Sequence, residues 1–124
     1  MPNTKAIYIE TPSNPLLKLV DIKEIANLSK SNGLISFIDN TFATPLLQKP
    51  HKLGIDIILH SATKYFGGHS DICAGAVAST SEHREIIWNL SKILAVVLSD
   101  YTAWLLERSM KTLSVRFLLS KRML

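Results

Sequence analysis

The chain has 124 residues, of which 47% are apolar and 19% charged, with a formal net charge of +4. That length suits one small domain and that balance suits a globular segment with its own core. The basic residues are scattered, the densest spot being Lys121-Arg122, and no nucleic-acid motif accompanies them, so a nucleic-acid binder has little support. The longest strongly apolar stretch, Ile93 to Leu98, is far too short to cross a membrane. Met1-Pro2-Asn3-Thr4-Lys5 lacks the apolar region of a signal peptide. The single cysteine, Cys73, excludes an internal disulfide and agrees with a reducing, cytoplasmic setting. With no base nearby in sequence, Cys73 is expected to be a small packed hydrophobe.

Taken in chain order, Ala6 to Glu10 reads as a buried strand, stopped by the two prolines of Thr11-Pro12-Ser13-Asn14-Pro15. Asp21 is the expected cap of a helix through about Ser31, with Glu24 at the capping-box position and Ile22, Ile25, Ala26 and Leu28 as its apolar face. Asn32-Gly33 stops that helix, and Leu34 to Ile38 is the next strand. Thr44 is expected to cap a short helix with Pro45 in its first turn, ending near Leu53-Gly54. Ile55 to Leu59 and Ala74 to Ser79 are the third and fourth strands. Ser81 is expected to cap a helix carrying Ile86, Ile87, Leu90 and Leu94 at helical spacing, and a last helix spans about Tyr101 to Leu113. Trp88 and Trp104 fall in these helical patterns and are expected to pack.

Strands alternating with short helices imply an α/β fold with a mainly parallel sheet and right-handed crossovers. Only a long turn separates the third strand from the fourth, too little for a crossover helix, so the fourth strand is expected to run antiparallel. Ligands of open parallel sheets gather beyond the carboxyl ends of the strands. Asn14, Asp39, Ser61, Thr63 and Lys64 all follow strand ends, so one site can collect them. A lysine flanked by hydroxyls at one strand end, with a carboxylate at a neighbouring one, suits pyridoxal phosphate. The amine can react with its aldehyde, the hydroxyls can hold its phosphate, and the carboxylate can pair with its protonated ring nitrogen.

Three motifs sharpen this reading. They are Glu10-Thr11-Pro12-Ser13-Asn14-Pro15, Asp39-Asn40-Thr41-Phe42-Ala43-Thr44-Pro45, and Ser61-Ala62-Thr63-Lys64-Tyr65 followed by Gly68-His69-Ser70-Asp71. In this order they closely resemble the Cys/Met-metabolism, or transsulfuration, family of pyridoxal-phosphate-dependent enzymes. The family includes the cystathionine synthases and lyases, methionine gamma-lyase and the acetylhomoserine sulfhydrylases. The resemblance runs from about Thr4 to Arg116 and implies part of a type I aminotransferase-like large domain. It divides the chain into a partial cofactor domain, residues 1–116, and a divergent tail, 117–124, where the family continues with a polar helix.

By this resemblance Lys64 is the Schiff-base lysine, which later moves protons between the substrate's carbons and the cofactor, a task for a deprotonated amine. Asp39 resembles the partner of the pyridine nitrogen, Ser61 and Thr63 the phosphate-binding hydroxyls, and Asn14 a residue near the ring oxygen. Thr41 follows the same strand as Asp39; it reads as a packing residue, with contact to the same pocket as the alternative. Other family parts are expected outside this stretch: the glycine-containing phosphate turn, the aromatic that stacks on the ring, the tyrosine and arginine lent by a neighbouring subunit, and the arginine that grips the substrate carboxylate. Ala95 and Ser109 stand where glycine is common in the family, and Asp100 where proline is.

His51, His60, His69 and His83 are too scattered for a metal-ligand pattern, and Gly67-Gly68 is not a phosphate loop but a source of positive φ after Lys64. The function implied is elimination or replacement at the beta or gamma carbon of sulfur-containing or O-acylated amino acids, of the cystathionine gamma-synthase or cystathionine lyase type. A full-length form would bind an amino-acid substrate and assemble as a homo-oligomer, a tetramer in the family. The alternative is a truncated, non-catalytic fragment or pseudoenzyme module that binds cofactor poorly.

Overall fold

The computed structural model describes residues 3–122. Ala6–Glu10 forms β1, Ile35–Asp39 β2, Ile57–Ser61 β3 and Gly75–Ser79 β4, in one sheet of order β1-β2-β3-β4. The β1–β2 and β2–β3 pairs are parallel and β3–β4 is antiparallel, as the turn lengths imply. The α/β class and mainly parallel sheet read from the sequence are therefore present.

Helix α1, Ile22–Ser31, makes the first crossover. The Asp21 carboxylate accepts the Glu24 N–H at 3.0 Å, the expected N-cap. Asn32 closes the helix, and Gly33 then takes a left-handed φ of 62°, which costs glycine little. Ile22 and Ala26 on the inner face of α1 pack with Ile38, Ile55 and Ile58, and Ile9 joins the edge of that cluster. Since strand side chains alternate, Glu10, Asp39 and Ser61 lie on the opposite face of the sheet from Ile9, Ile38 and His60.

The second crossover differs from the sequence expectation. The single helix expected from Thr44 to Leu53 divides into α2, Thr44–Leu47, and a 3-10 turn over Pro50–Leu53, with Gln48 extended between them. A long-range network makes the break. Gln48 Nε2 donates to the Thr11 carbonyl at 3.0 Å and to Asn40 Oδ1 at 2.8 Å, and Asn40 Nδ2 donates to the Gln48 carbonyl at 3.2 Å. Ala43 holds the cap position, and the Thr44 hydroxyl accepts the Leu46 N–H from inside the helix.

Helix α3, Ser81–Ile93, begins after Thr80 rather than using Ser81 as its cap. It packs against β4, but none of its residues is buried, and Ile86, Leu90 and the following Leu94 remain exposed. Helix α4, Asp100–Met110, is capped by the Ser99 hydroxyl. The expected last helix ends early, and α5, Leu113–Arg122, follows it. The break falls where the Ser109 carbonyl accepts from the Thr112 hydroxyl and the Arg116 guanidinium instead of continuing the α-helical ladder. The two tryptophans do not pack into the core: each is 55% exposed, Trp88 beside Lys92 and Trp104 stacked on Tyr101. Cys73 is likewise exposed rather than packed. Among the described residues no helix is long and apolar enough to cross a membrane, and no His/Cys/Asp/Glu group could hold a metal ion.

Two predictions follow from local chemistry. Ala95 has a φ of 53° just past α3, where the Val96 N–H reaches back to the Ser91 carbonyl at 3.0 Å. A left-handed alanine there costs about 1 kcal/mol, so Ala95→Gly should stabilise the chain by that amount in urea unfolding. The second concerns His60, which is buried and stacked on Phe66 at 4.7 Å, its Nδ1 without a partner among the described residues. Burial holds its pKa below the ordinary imidazole value, against the opposing pull of the Asp39 charge. The folded state therefore resists protonation, and stability falls as pH drops below about 6.5, the unfolded value. His60→Leu should lose less stability than the parent between about pH 7.5 and pH 5.5 in the same urea assay; an equal loss would place the titration elsewhere.

Candidate active site

The β3 chain leaves the sheet at Ser61 and coils into a tight turn. The Lys64 N–H donates to the Ser61 carbonyl at 3.1 Å, Gly67 N–H to Ala62 at 2.7 Å, and Gly68 N–H to Lys64 at 2.7 Å. Ala62 and Phe66 anchor the turn beneath, packed with Leu113 of α5. That leaves Lys64 exposed while its neighbours are fixed. Gly67 does not take the positive φ expected of it. Instead a Cβ there would sit 2.9 Å from Ile72 Cγ1, so the residue serves close packing, and Gly68 alone supplies the left-handed φ, 75°.

Lys64 opens onto a cavity of about 550 Å³ that is also lined by Asn14, Thr41, Thr63, Tyr65 and Arg116. Of the residues singled out by sequence, Asn14, Thr63 and Lys64 thus meet in one cavity. Asp39 and Ser61 are not among its lining residues but are joined to it through Thr41. The Thr41 N–H donates to Asp39 Oδ1 at 2.9 Å, and its hydroxyl accepts the Ser61 N–H at 2.7 Å. Thr41, for which the sequence offers packing or contact with the pocket, lines the cavity and links the two strand ends.

The Thr63 hydroxyl accepts the Ala74 N–H at 3.0 Å and lies 3.4 Å from the Ala74 carbonyl, so its own proton is only weakly engaged. The Ser61 hydroxyl has no hydrogen bond among the described residues. Both can donate to an anion. Asp39 stands opposite Glu10 across β1 and β2, two carboxylates at adjacent strand ends that favour a cation between or above them. Tyr8, on the same face, has its phenol pushed above its ordinary range, first by partial burial and then by the charges of Asp39 and Glu10. The Lys64 amine, the Thr63 hydroxyl and the Asn14 carboxamide on a cavity within the size range of small-ligand pockets, with the Asp39 carboxylate and Ser61 joined to it through Thr41, fit pyridoxal phosphate.

Sequence reasoning missed Arg116, Glu10 and Ser120 as cavity residues. Glu10 had a usable signal, its position at a strand end before Asn14. Arg116 and Ser120 had none, because they reach the site only through the packing of α5.

Comparison with known proteins agrees with this geometry. The family model described as Cys/Met metabolism PLP-dependent enzyme matches residues 1–122. A cystathionine beta-lyase of Lactococcus lactis subsp. cremoris is 54% identical over 114 residues, 91% of this chain and 30% of that protein. A cystathionine gamma-synthase/O-acetylhomoserine (thiol)-lyase of Bacillus subtilis is 50% identical over 116 residues, 93% of this chain and 31% of that protein. The solved structure of cystathionine gamma-lyase from Lactobacillus plantarum, complexed with L-serine, superposes with a TM-score of 0.90 at 51% identity, covering 93% of this chain and 30% of that one. The chain spans less than a third of the length of these relatives. It belongs to the Cys/Met-metabolism family of pyridoxal-phosphate-dependent enzymes.

Proposed function

We propose that this chain carries the lysine-bearing half of the cofactor site of a transsulfuration-type enzyme acting on sulfur-containing or O-acylated amino acids. The observation that carries the reading is the convergence of Lys64, Thr63 and Asn14 on one cavity, with Asp39 and Ser61 tied to its wall by Thr41. When bound, pyridoxal phosphate supplies an aldehyde that reacts with amines and a ring that takes up electron density. Lys64 would provide the amine for that aldehyde and, as a free amine, would be the base that carries protons at the substrate's alpha and gamma carbons. Asp39 presents a carboxylate that keeps the ring nitrogen protonated. Ser61 and Thr63 donate hydroxyl protons to the phosphate, and Asn14 offers its amide to the ring oxygen.

Substrate recognition and turnover are proposed to need the remainder of a relative-length protein and its oligomer, as the relatives are more than three times longer than the matched segment. The isolated 124 residues are expected to release no thiol or ketoacid from cystathionine. Misplacing reacting groups by about an ångström can cost roughly a hundredfold, and here the substrate-carboxylate grip and the ring-stacking aromatic would have to come from elsewhere.

The test is a chimera in which this chain replaces the matching segment of the Lactococcus lactis cystathionine beta-lyase. The chimera should release thiol from cystathionine. Asp39→Asn in that background should keep the fold but slow turnover about a hundredfold or more, within the range of a lost catalytic proton or charge. Lys64→Ala should abolish the borohydride-reduced cofactor adduct on the peptide containing residue 64. Equal turnover in the Asp39→Asn chimera, or an adduct undisturbed by Lys64→Ala, would refute these roles.

A further inference from the structure

Arg116 makes an unusual set of contacts for a residue in the first turn of a surface helix. Its Nη1 donates to the Tyr65 carbonyl at 2.8 Å and its Nη2 to the Phe66 carbonyl at 3.2 Å, the two residues directly after Lys64. Nη2 also donates to the Ser109 carbonyl at 2.9 Å at the end of α4, and Nε to the Thr112 hydroxyl at 3.0 Å. One guanidinium thus joins the lysine turn, the α4 terminus and α5. Among the described residues it makes no ion pair, so its hydrogen bonds go to backbone and hydroxyl oxygens and its charge stays on the wall of the cavity that Lys64 shares.

The turn is shaped around this group. Gly68 has a left-handed φ of 75°, and a Cβ on it would lie 2.6 Å from Arg116 Cζ. The missing side chain at Gly68 is the space the guanidinium occupies. The Gly68 N–H in turn closes on the Lys64 carbonyl at 2.7 Å. The Lys64 backbone is therefore held by the turn's own bonds, and the two residues that follow it by the arginine. Tyr65 and Phe117 add an edge-on aromatic contact at 5.6 Å next to the same helix.

We propose that Arg116 is a positioning residue: its planar fork fixes the Tyr65–Gly68 backbone so that the Lys64 amine points into the cofactor cavity. The proposal rests on the reading of Lys64 as the cofactor lysine. It needs the fork and not merely a positive charge, because two adjacent carbonyls are met by two different nitrogens of one rigid plane. A lysine offers one flexible ammonium in their place.

The experiment uses the 124-residue chain and pyridoxal phosphate itself. Amide hydrogen exchange is measured without cofactor at Gly67 and Gly68, with the Ile58 amide of β3 as internal reference for global opening. The chain is then incubated with pyridoxal phosphate and reduced with borohydride, and adducts are mapped by mass spectrometry, the remaining lysines serving as internal standard for Lys64. Arg116→Gln should speed exchange at Gly67 and Gly68 about tenfold relative to Ile58 and lower the Lys64 share of adduct by a similar factor, as loss of charge-assisted hydrogen bonds implies. Arg116→Lys should restore little of either, and being the milder change it keeps the test readable if the glutamine variant unfolds.

An unchanged Lys64 share in Arg116→Gln, whether or not the turn loosens, overturns the proposal. So does full rescue by lysine, which would show that charge alone suffices. A parent chain in which Lys64 is no more reactive than its other lysines refutes the reading of Lys64 instead. The two failures are told apart because turn exchange responds to Arg116 without any cofactor.

Discussion

A single threonine couples the two halves of the site. Thr41 gives its N–H to the Asp39 carboxylate at the end of β2 and takes the N–H of Ser61 at the end of β3. Neighbouring parallel strands already hold their ends at a fixed spacing. Thr41 adds a direct bond across that spacing, at 2.7 Å, just before the lysine turn begins. The Asp39 carboxylate is thereby tied to the start of the turn that carries Lys64. Preorganisation of this kind is what a cofactor site requires, since loosely held groups lose most of their effect.

The same logic extends outward from that link. Asn40, fully buried next to Asp39, exchanges hydrogen bonds with Gln48, and Gln48 reaches the Thr11 carbonyl after β1. The ends of β1 and β2 are thus laced together beyond the sheet. At the other ends of the strands Asp56 accepts both the N–H and the hydroxyl of Ser36, at 2.8 and 2.6 Å, which fixes how β2 and β3 enter the sheet. The apolar face packs on α1, and the opposite face stays open with Tyr8, Glu10 and Asp39. Polar groups at the carboxyl ends and an apolar layer behind them are the arrangement by which open α/β sheets bind ligands.

Much of this was legible in the sequence because it is local. The cap of α1 is written in Asp21 and Glu24, its end in Asn32-Gly33, and the reversal of β4 in the shortness of the turn before it. What was not legible depends on partners far along the chain. The break between α2 and the following 3-10 turn comes from Gln48 being drawn to Thr11, 37 residues away. Arg116 meets the lysine turn across a separation of 51 residues, and nothing around Ser114-Val115-Arg116-Phe117 announces it. The periodicity of α3 correctly gives a helix with an apolar stripe, but a stripe does not say what covers it, and here Ile86, Leu90 and Ile93 face outward. Trp88, Trp104 and Cys73 were misread for the same reason: residue type predicts burial only where a partner surface exists.

The most direct test of the central claim, that the strand ends of this chain converge on one cofactor surface, is a two-dimensional amide NMR titration of the chain with pyridoxal phosphate. The account predicts that shift changes concentrate on the amides of Asn14, Thr41, Thr63 and Lys64, which line one cavity from different strand ends, and on Ser61, bonded to Thr41 behind it. Changes spread over the exposed lysines of α1 and α3, with the Thr41 and Ser61 amides unmoved, would contradict it.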